Sequence, residues 1–420
     1  MVSMSKESVK PRRIVAKFGG TSVASGDLIA KAAASVAREV KKGVQVTVVV
    51  SAMGKTTDQL IETASKAAGD KGSAEWIDDI LSMGERTTAR VFATALEAQG
   101  VKARYFDPSM DDWPIITDDK FKNSNPLVDE CDVRIHRSLV PLLEKGVVPV
   151  IPGFVGRTVD GRTTTMGRGG SDTTAFLLGN GVKADEVVLV TDVEGIMSAD
   201  PKLVKKAKMI EKIPVEKLIS LADLGTKFIH SKALKYKGSN LNVRVVSHLK
   251  GDLTASGTLI HGAIPELFVI NVLESPAMAI TILGEDISSK PEILLAAIGK
   301  IKEAGISLIG MSSNHDSIIL YLPMEKVPDQ VIEDLHSAVV GREEELAMGF
   351  IKRLALLKVR GMGLEETPGI IGKIIQPLFD RSINIYGIFT IASSVVLFVK
   401  WEDRELVKGL IEESIGAKRP

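Results

Sequence analysis

One cysteine, Cys131, in 420 residues excludes an intramolecular disulfide and points to a reducing compartment. There is no charge excess of either sign. Lys+Arg and Asp+Glu are both 53, which removes any bulk electrostatic argument for nucleic acid or an anionic membrane as a partner. No apolar run approaches the length of a membrane span. The stretch Met1–Arg13 is polar and basic and lacks the apolar segment of a secretory signal, so the expected location is cytoplasmic. The six histidines, at 136, 230, 248, 261, 315 and 336, show no metal-ligand spacing, and no dedicated metal site is expected. No Ser/His/Asp or Cys/His arrangement suggests covalent catalysis.

What is present reads as a soluble globular chain, 45% hydrophobic and 25% charged. Its length calls for two to three domains rather than one core. Ile14–Phe18 and Val44–Val50 read as buried parallel strands, and between them Leu28–Lys41 carries apolar residues at helical spacing. The alternation continues with helix Ala74–Ala98, strand Ala103–Phe106, helix Val128–Glu144, strand Val147–Ile151, helix Thr173–Gly179 and strand Glu186–Thr191. Helices near Val215–Leu221 and Phe228–Lys235 and a strand Asn242–Val246 follow, to about Gly262. The expected class is α/β, a mostly parallel sheet with helices on both faces.

Beyond Gly262 a repeat appears. Gly284 and Gly361, Pro291 and Pro368, Ile306 and Ile383, and Ser317 and Ser394 share one offset of 77 (361−284, 394−317). Each copy reads as a ferredoxin-like βαββαβ unit. The second lacks its last strand, and the spare strand Leu267–Val272 is expected to supply it. The expected domains are 1–262, 263–345 and 346–420, with the leading strand 267–272 completing the last.

Within Thr163–Thr174, the run Gly167-Arg168-Gly169-Gly170-Ser171-Asp172 concentrates three glycines, a guanidinium, a hydroxyl and a carboxylate. Glycines let a backbone approach a ligand with its N–H groups free, and arginine clamps carboxylate or phosphate. An aspartate there can orient a lysine or help hold a metal. Strand, Gly-rich loop and helix in that order is where α/β proteins place anions. Taken alone, the run is as easily a surface turn before a helix.

Lys17-Phe18-Gly19-Gly20-Thr21-Ser22 ends the first strand and offers a phosphate cradle, or simply a lysine before a glycine turn. It lacks P-loop spacing. Ser51-Ala52-Met53-Gly54, with Thr56-Thr57-Asp58 after it, is a crevice loop or an ordinary βα turn. Gly84 lies inside a helical pattern, which suggests close approach of a ligand or of backbone; Glu85 beside it can pair with an ammonium or simply face solvent. Thr191-Asp192, Asp200-Pro201-Lys202 and Gly225-Thr226-Lys227 suit a nucleotide, each weakly by itself.

In order along the chain, KFGGTSV (17–23), VSAMGKTTDQL (50–60), GER (84–86), PGFVG (152–156), TTTMGRGGSDTTA (163–175), TDVEGIMSADP (191–201) and GTKFIHSKAL (225–234) closely resemble the aspartate kinases of the amino-acid-kinase family, and the tail resembles their paired ACT units. The resemblance covers about Arg13 to Glu413. It implies ATP-dependent phosphorylation of the side-chain carboxylate of L-aspartate, the first step toward lysine, threonine and methionine. Lys17 and Lys227 would neutralise the ATP phosphates and the moving phosphoryl group, and Asp172 would organise the lysines. Thr57, Glu85, Arg168, Gly169, Gly170 and Ser171 would bind aspartate, with Glu85 on its ammonium and Arg168 on its α-carboxylate. Phe18, Gly19, Gly20, Ser22, Thr191, Asp192, Met197, Lys202 and Phe228 would surround the nucleotide, and Mg2+ would come with ATP. Met197 stands where the family usually has tyrosine, and Lys202 where it usually has arginine. The ACT pair implies a homodimer or larger assembly and an amino-acid effector, lysine or threonine. Another carboxylate or carbamate kinase of this fold, and a non-catalytic amino-acid sensor, are the rival readings.

Overall fold

The computed structural model describes residues 11–416 apart from 201–202, 224–228, 263–267, 341–345, 362–363, 365–367 and 392–393. The chain divides into two compact units, Met1–Ile264 and Pro265–Pro420.

The first unit runs β1 (Arg13–Phe18), α1 (Gly26–Lys41), β2 (Gln45–Val50), α2 (Thr56–Ala68), α3 (Ala74–Ala98), β3 (Ala103–Tyr105), α4 (Val128–Glu144), β4 (Val148–Pro152), β5 (Val155–Arg157), β6 (Thr163–Thr165), α5 (Gly170–Gly181), β7 (Glu186–Thr191), β8 (Lys212–Pro214), α6 (Val215–Asp223), α7 (Ser231–Leu234), β9 (Asn242–Ser247) and β10 (Thr258–His261). Eight strands form one sheet in the order β3-β4-β2-β1-β7-β9-β10-β8, parallel except where β10 meets β9. Strand runs such as QVTVVV are buried on both sides, as a sheet covered by helices requires.

On one face Ala16, Phe18, Val48 and Val50 join Ile29, Ala33 and Val36 of α1 and Phe92 and Leu96 of α3 in a single core. Alternate residues, among them Lys17, therefore point to the opposite face, where α5 lies against β1. Ser25 caps α1 by accepting the Leu28 N–H, with Asp27 in the first turn and Arg38 and Lys41 in the last, which suits the helix dipole.

The expected alternation is present. It omitted α2, although Leu60, Ile61 and Ala64 fall at helical spacing, because its first turn, Thr56–Asp58, reads as part of the crevice loop. It also omitted the β5–β6 hairpin and the last two strands of the sheet, β10 and β8. Part of the helix expected at Phe228–Lys235 lies outside the described residues; the helix described there is Ser231–Leu234.

The second unit contains β11 (Val269–Val272), β12 (Ala277–Leu283), α8 (Pro291–Glu303), β13 (Gly310–Ser313), β14 (Ser317–Pro323), α9 (Asp329–Val339), β15 (Ala347–Arg360), α10 (Ile370–Asp380), β16 (Gly387–Thr390), β17 (Ser394–Lys400) and α11 (Arg404–Ile415). Equivalent strands start one repeat apart, at Gly310 and Gly387 and at Ser317 and Ser394. The sheet order is β13-β14-β12-β15-β17-β16, with β11 paired to β15.

The fourteen-residue β15 serves both repeats. Its first half pairs with β12, and its second half with β17 and β11. The halves meet at a bulge, where Lys352 and Arg353 stand opposite Met278 and Arg353 has φ 59°. In a flat sheet β14 and β17, three strand spacings apart, would be separated by about 14 Å. Tyr321 of β14 stacks on Phe398 of β17 at 3.8 Å, so the sheet folds over on itself at β15.

Candidate active site

Four parallel strands deliver loops to one edge of the first sheet. They are β1 into Gly19-Gly20, β2 into Ser51–Gly54, β4 into Gly153-Phe154 and β7 into Thr191-Asp192. Chain order reverses around β1, and such a switch point is where open α/β sheets form their crevice.

Lys17 sits at this edge on the α5 side. Its Nζ lies 2.6 Å from Asp172 Oδ1, with the two side chains 15% and 12% exposed. Asp172 is in the first turn of α5, where the helix dipole favours an anion. Ser51 Oγ donates to Ser171 Oγ at 3.1 Å, tying the β2 loop to the start of the same helix.

No side chain caps α5. Gly169 takes the cap position in a left-handed conformation, φ 80°, and a Cβ there would fall 2.7 Å from His230 Cβ. Gly170 faces Phe154 so closely that a Cβ would meet its ring and Cα at 3.0 Å. Both glycines are therefore demanded by the turn and its packing, a reason distinct from the close ligand approach that the sequence suggested. The uncapped helix start still presents backbone N–H groups to the crevice.

Across the crevice runs α3. A Cβ on Gly84 would lie 2.7 Å from Ala52 Cβ, so this helix glycine makes room for the β2 loop. Glu85 follows it, 4% exposed, with Oε2 buried and without a hydrogen-bond partner. Burial pushes its carboxyl up to about 7, against the pull of N–H groups from Ala52 and its own backbone. Arg86 turns the other way and grips the buried Asp107 with two bonds of 2.8 and 3.0 Å, while Arg90 adds a third at 2.6 Å. Burial alone would raise the Asp107 carboxyl; these guanidinium bonds, with those of Ser109, hold it well below the usual range.

These groups surround one cavity of about 650 Å³. Its walls include Lys17, Thr57, Glu85, Arg168, Gly169, Gly170, Ser171 and Asp172, so the residues expected around an amino acid come together with two of the three expected at the reacting centre. Ser51, Asp58, Lys122, Phe154 and Thr165 line it as well. Ser51, Asp58, Phe154 and Thr165 lie within motifs recognised in the sequence but without a role of their own there, and Lys122, in the loop before α4, lies in no motif.

On the nucleotide side, Gly19 N–H donates to Val190 O at 3.0 Å, and a Cβ on Gly20 would stand 3.0 Å from Ala52 O. Thr191 Oγ1 donates to Asp192 Oδ1 at 3.1 Å, with Asp192 exposed at the end of β7. Met197 is half-buried and bridges to Met209. Two expected contacts occupy supporting positions. The Phe18 side chain is 1% exposed and packs on Phe92, and Ser22, equally buried, donates its hydroxyl to Val190 O at 3.2 Å. Lys202, Lys227 and Phe228 lie outside the described residues. Among the described residues no helix is long and apolar enough to cross a membrane.

Residues 12–247 match the Amino acid kinase family. The aspartokinase of Geobacillus stearothermophilus is 30% identical over 423 residues, covering 96% of this chain and 99% of that protein. Among solved structures, the aspartate kinase from Synechocystis superposes with TM-score 0.75 at 25% identity, covering 97% of this chain and 70% of that one. E. coli aspartokinase III, solved in complex with aspartate and ADP, shares the fold at TM-score 0.55 and 24% identity, over 96% of this chain and 99% of that one. The chain belongs to the amino acid kinase family and, within it, groups with the aspartokinases as a phosphoryl-transferring enzyme.

Proposed function

We propose that this enzyme transfers the γ-phosphoryl group of ATP to the side-chain carboxylate of L-aspartate, giving 4-phospho-L-aspartate and ADP. The observation that carries this reading is the content of one cavity: a buried carboxylate with one oxygen unpartnered, an exposed guanidinium beside an uncapped helix start, and the Lys17–Asp172 pair. Glu85 takes the α-ammonium of aspartate. Arg168 takes the α-carboxylate, with Gly169, Gly170 and Ser171 around it at the start of α5, and Thr57 closes the cavity from α2. The side-chain carboxylate then faces Lys17.

A carboxylate oxygen forms the new bond to the γ-phosphorus as the bond from that phosphorus to the β–γ bridging oxygen breaks, and ADP departs. The attacking group is already ionised, so no proton changes hands and no enzyme nucleophile is needed. The demand is in-line positioning and neutralisation of an anion meeting a polyanion. Lys17 answers it, held by Asp172, and Lys227 is the second cation. Gly19, Gly20, Thr191, Asp192, Met197, Lys202 and Phe228 line the nucleotide, with Phe18 and Ser22 behind them. Mg2+ arrives bound to the ATP phosphates. The aspartate and ADP held by E. coli aspartokinase III are in keeping with this reading.

In the same reading, residues 1–262 are catalytic, and 263–345 and 346–420 are ACT units with β11 completing the second. They join chains into a homodimer or larger assembly and couple the enzyme to an amino-acid end product, lysine or threonine. The enzyme works in the cytoplasm at the head of lysine, threonine and methionine synthesis. We place such an effector in a cavity of about 340 Å³ at the start of α10, walled by Gly369, Ile370, Thr390 and Ser394.

The test is ADP release from Mg-ATP with each of the twenty amino acids and carbamate, with hydroxylamine present to trap an acyl phosphate. The expected result is aspartyl hydroxamate from aspartate, and inhibition by lysine or threonine. Faster turnover of glutamate or carbamate overturns the substrate; aspartate binding with no ADP release makes the protein a sensor.

A further inference from the structure

We propose that Lys122 is a second substrate cation, which with Arg168 holds the α-carboxylate of the amino acid. The inference rests on the function proposed above and adds a residue to its site.

The starting point is a conformation. Among the described residues six that are not glycine have positive φ, and two of them, Lys122 at 67° and Phe154 at 69°, line the 650 Å³ cavity. A long L side chain adopts this region reluctantly, and a turn of this shape is ordinarily made with glycine or asparagine. Strain of this kind gathers at binding sites, where the surroundings must enforce it.

Those surroundings are explicit. Asp78, 0% exposed, accepts the Lys122 N–H on both carboxylate oxygens, at 3.0 and 2.9 Å. The same carboxylate accepts the Thr165 N–H at 2.7 Å and its hydroxyl at 2.8 Å. A buried charge is thus spent on fixing one exposed loop residue against β6. The next residue is held as firmly, since Lys232 Nζ donates to Asn123 Oδ1 at 2.6 Å and to Met166 O at 2.8 Å. A Cβ on Gly167 would stand 3.1 Å from Lys122 O, so the loop lies directly on the turn that carries Arg168.

The charges fit one ligand class. Lys17 is answered by Asp172, Glu85 is reserved for an ammonium and Asp58 stands exposed on α2, while Arg168 and Lys122, whose loops touch, present a pair of cations to an anion. An amino dicarboxylate brings two carboxylates, one to accept the phosphoryl group and one for this pair.

Lys122→Gly tests the assignment, because glycine relieves the conformation while removing the ammonium. The melting temperature should be unchanged or higher, the KM for aspartate should rise about tenfold, and kcat should stay within about threefold. β-Alanine is aspartate without its α-carboxylate, so its Ki against aspartate should stay within about twofold. Lys122→Arg should restore most of the aspartate affinity. An aspartate KM unchanged in Lys122→Gly overturns the inference, as does an equal loss for aspartate and β-alanine. If the wild-type enzyme does not turn over aspartate at all, it is the proposed function that fails.

Discussion

Lys17 Nζ and Asp172 Oδ1 lie 2.6 Å apart, one at the end of the central strand and the other in the first turn of the helix that covers it. In the proposed reaction the pair holds a cation beside the moving phosphoryl group, and in the structure it joins β1 to α5 at the crevice. Rate and stability therefore hang on the same contact and respond differently to its removal.

Lys17→Met should lower kcat about 10²–10³-fold with little change in the KM for ATP, because the charge matters most as the phosphoryl group moves. It also strands Asp172, at about 2–3 kcal/mol of stability once its residual exposure is allowed for. Asp172→Asn should lower kcat in the same direction by freeing Lys17. The double variant should regain most of the stability and none of the rate, as read by denaturant unfolding beside steady-state kinetics. A double variant no more stable than the singles means that the two charges do not support each other.

Glu85 gives a pH signature of definite sign. Its carboxyl is raised from 4.5 to about 7 by burial, so in the folded, ligand-free enzyme it resists ionisation that the unfolded chain completes earlier. Stability contributed by the neutral form is present below 4.5 and is lost as pH rises through about 7, roughly 3 kcal/mol in all. Glu85→Gln should therefore melt higher than wild type at pH 8 and nearly the same at pH 5. Its amino-acid KM should be raised at least about tenfold at pH 8. In the wild type that KM should climb as pH falls below about 7, since a protonated carboxyl cannot pair with an ammonium. A flat KM from pH 5.5 to 8 would remove Glu85 from the ammonium site.

Gly169 and Gly161 separate strain from crowding. Both have positive φ, 80° and 95°, but only Gly169 has a neighbour, His230, within 2.7 Å of an added Cβ. Gly161→Ala should cost about 1 kcal/mol and leave activity alone. Gly169→Ala should cost about 2–4 kcal/mol and reduce kcat, because the start of α5 must shift and carry Asp172 with it. Chemical unfolding curves and turnover measured together decide it.

Much of this was legible in the residues. The limits of α3, α4 and β7 follow from apolar runs closed by turn residues, and Lys17, Glu85, Arg168 and Asp172 stood out through the order of the motifs that carry them. The helix α2 was missed although Leu60, Ile61 and Ala64 fall at helical spacing, because its first turn, Thr56–Asp58, reads as part of the crevice loop. Lys122 was hidden for another reason. A lysine in a polar loop looks like any other until its φ and the Asp78 carboxylate forty-four positions away are known. Glycine was legible as a need but not as a cause. Gly84 could be marked as an anomaly in a helix, yet only the contact with Ala52 says what the space is for.

The strand β15 carries a consequence for how this chain can be recombined. One continuous backbone supplies a strand to each repeat, and β11 reaches back across the first repeat to border the second. Neither repeat is a cassette. A chimera joined inside β15 would donate half a strand to each parent, and one that moved the second repeat without β11 would leave Leu357–Arg360 with an open edge. Exchange with another protein must carry 268–416 as one block, so the two copies are heritable as a pair even though each has its own helices and its own core.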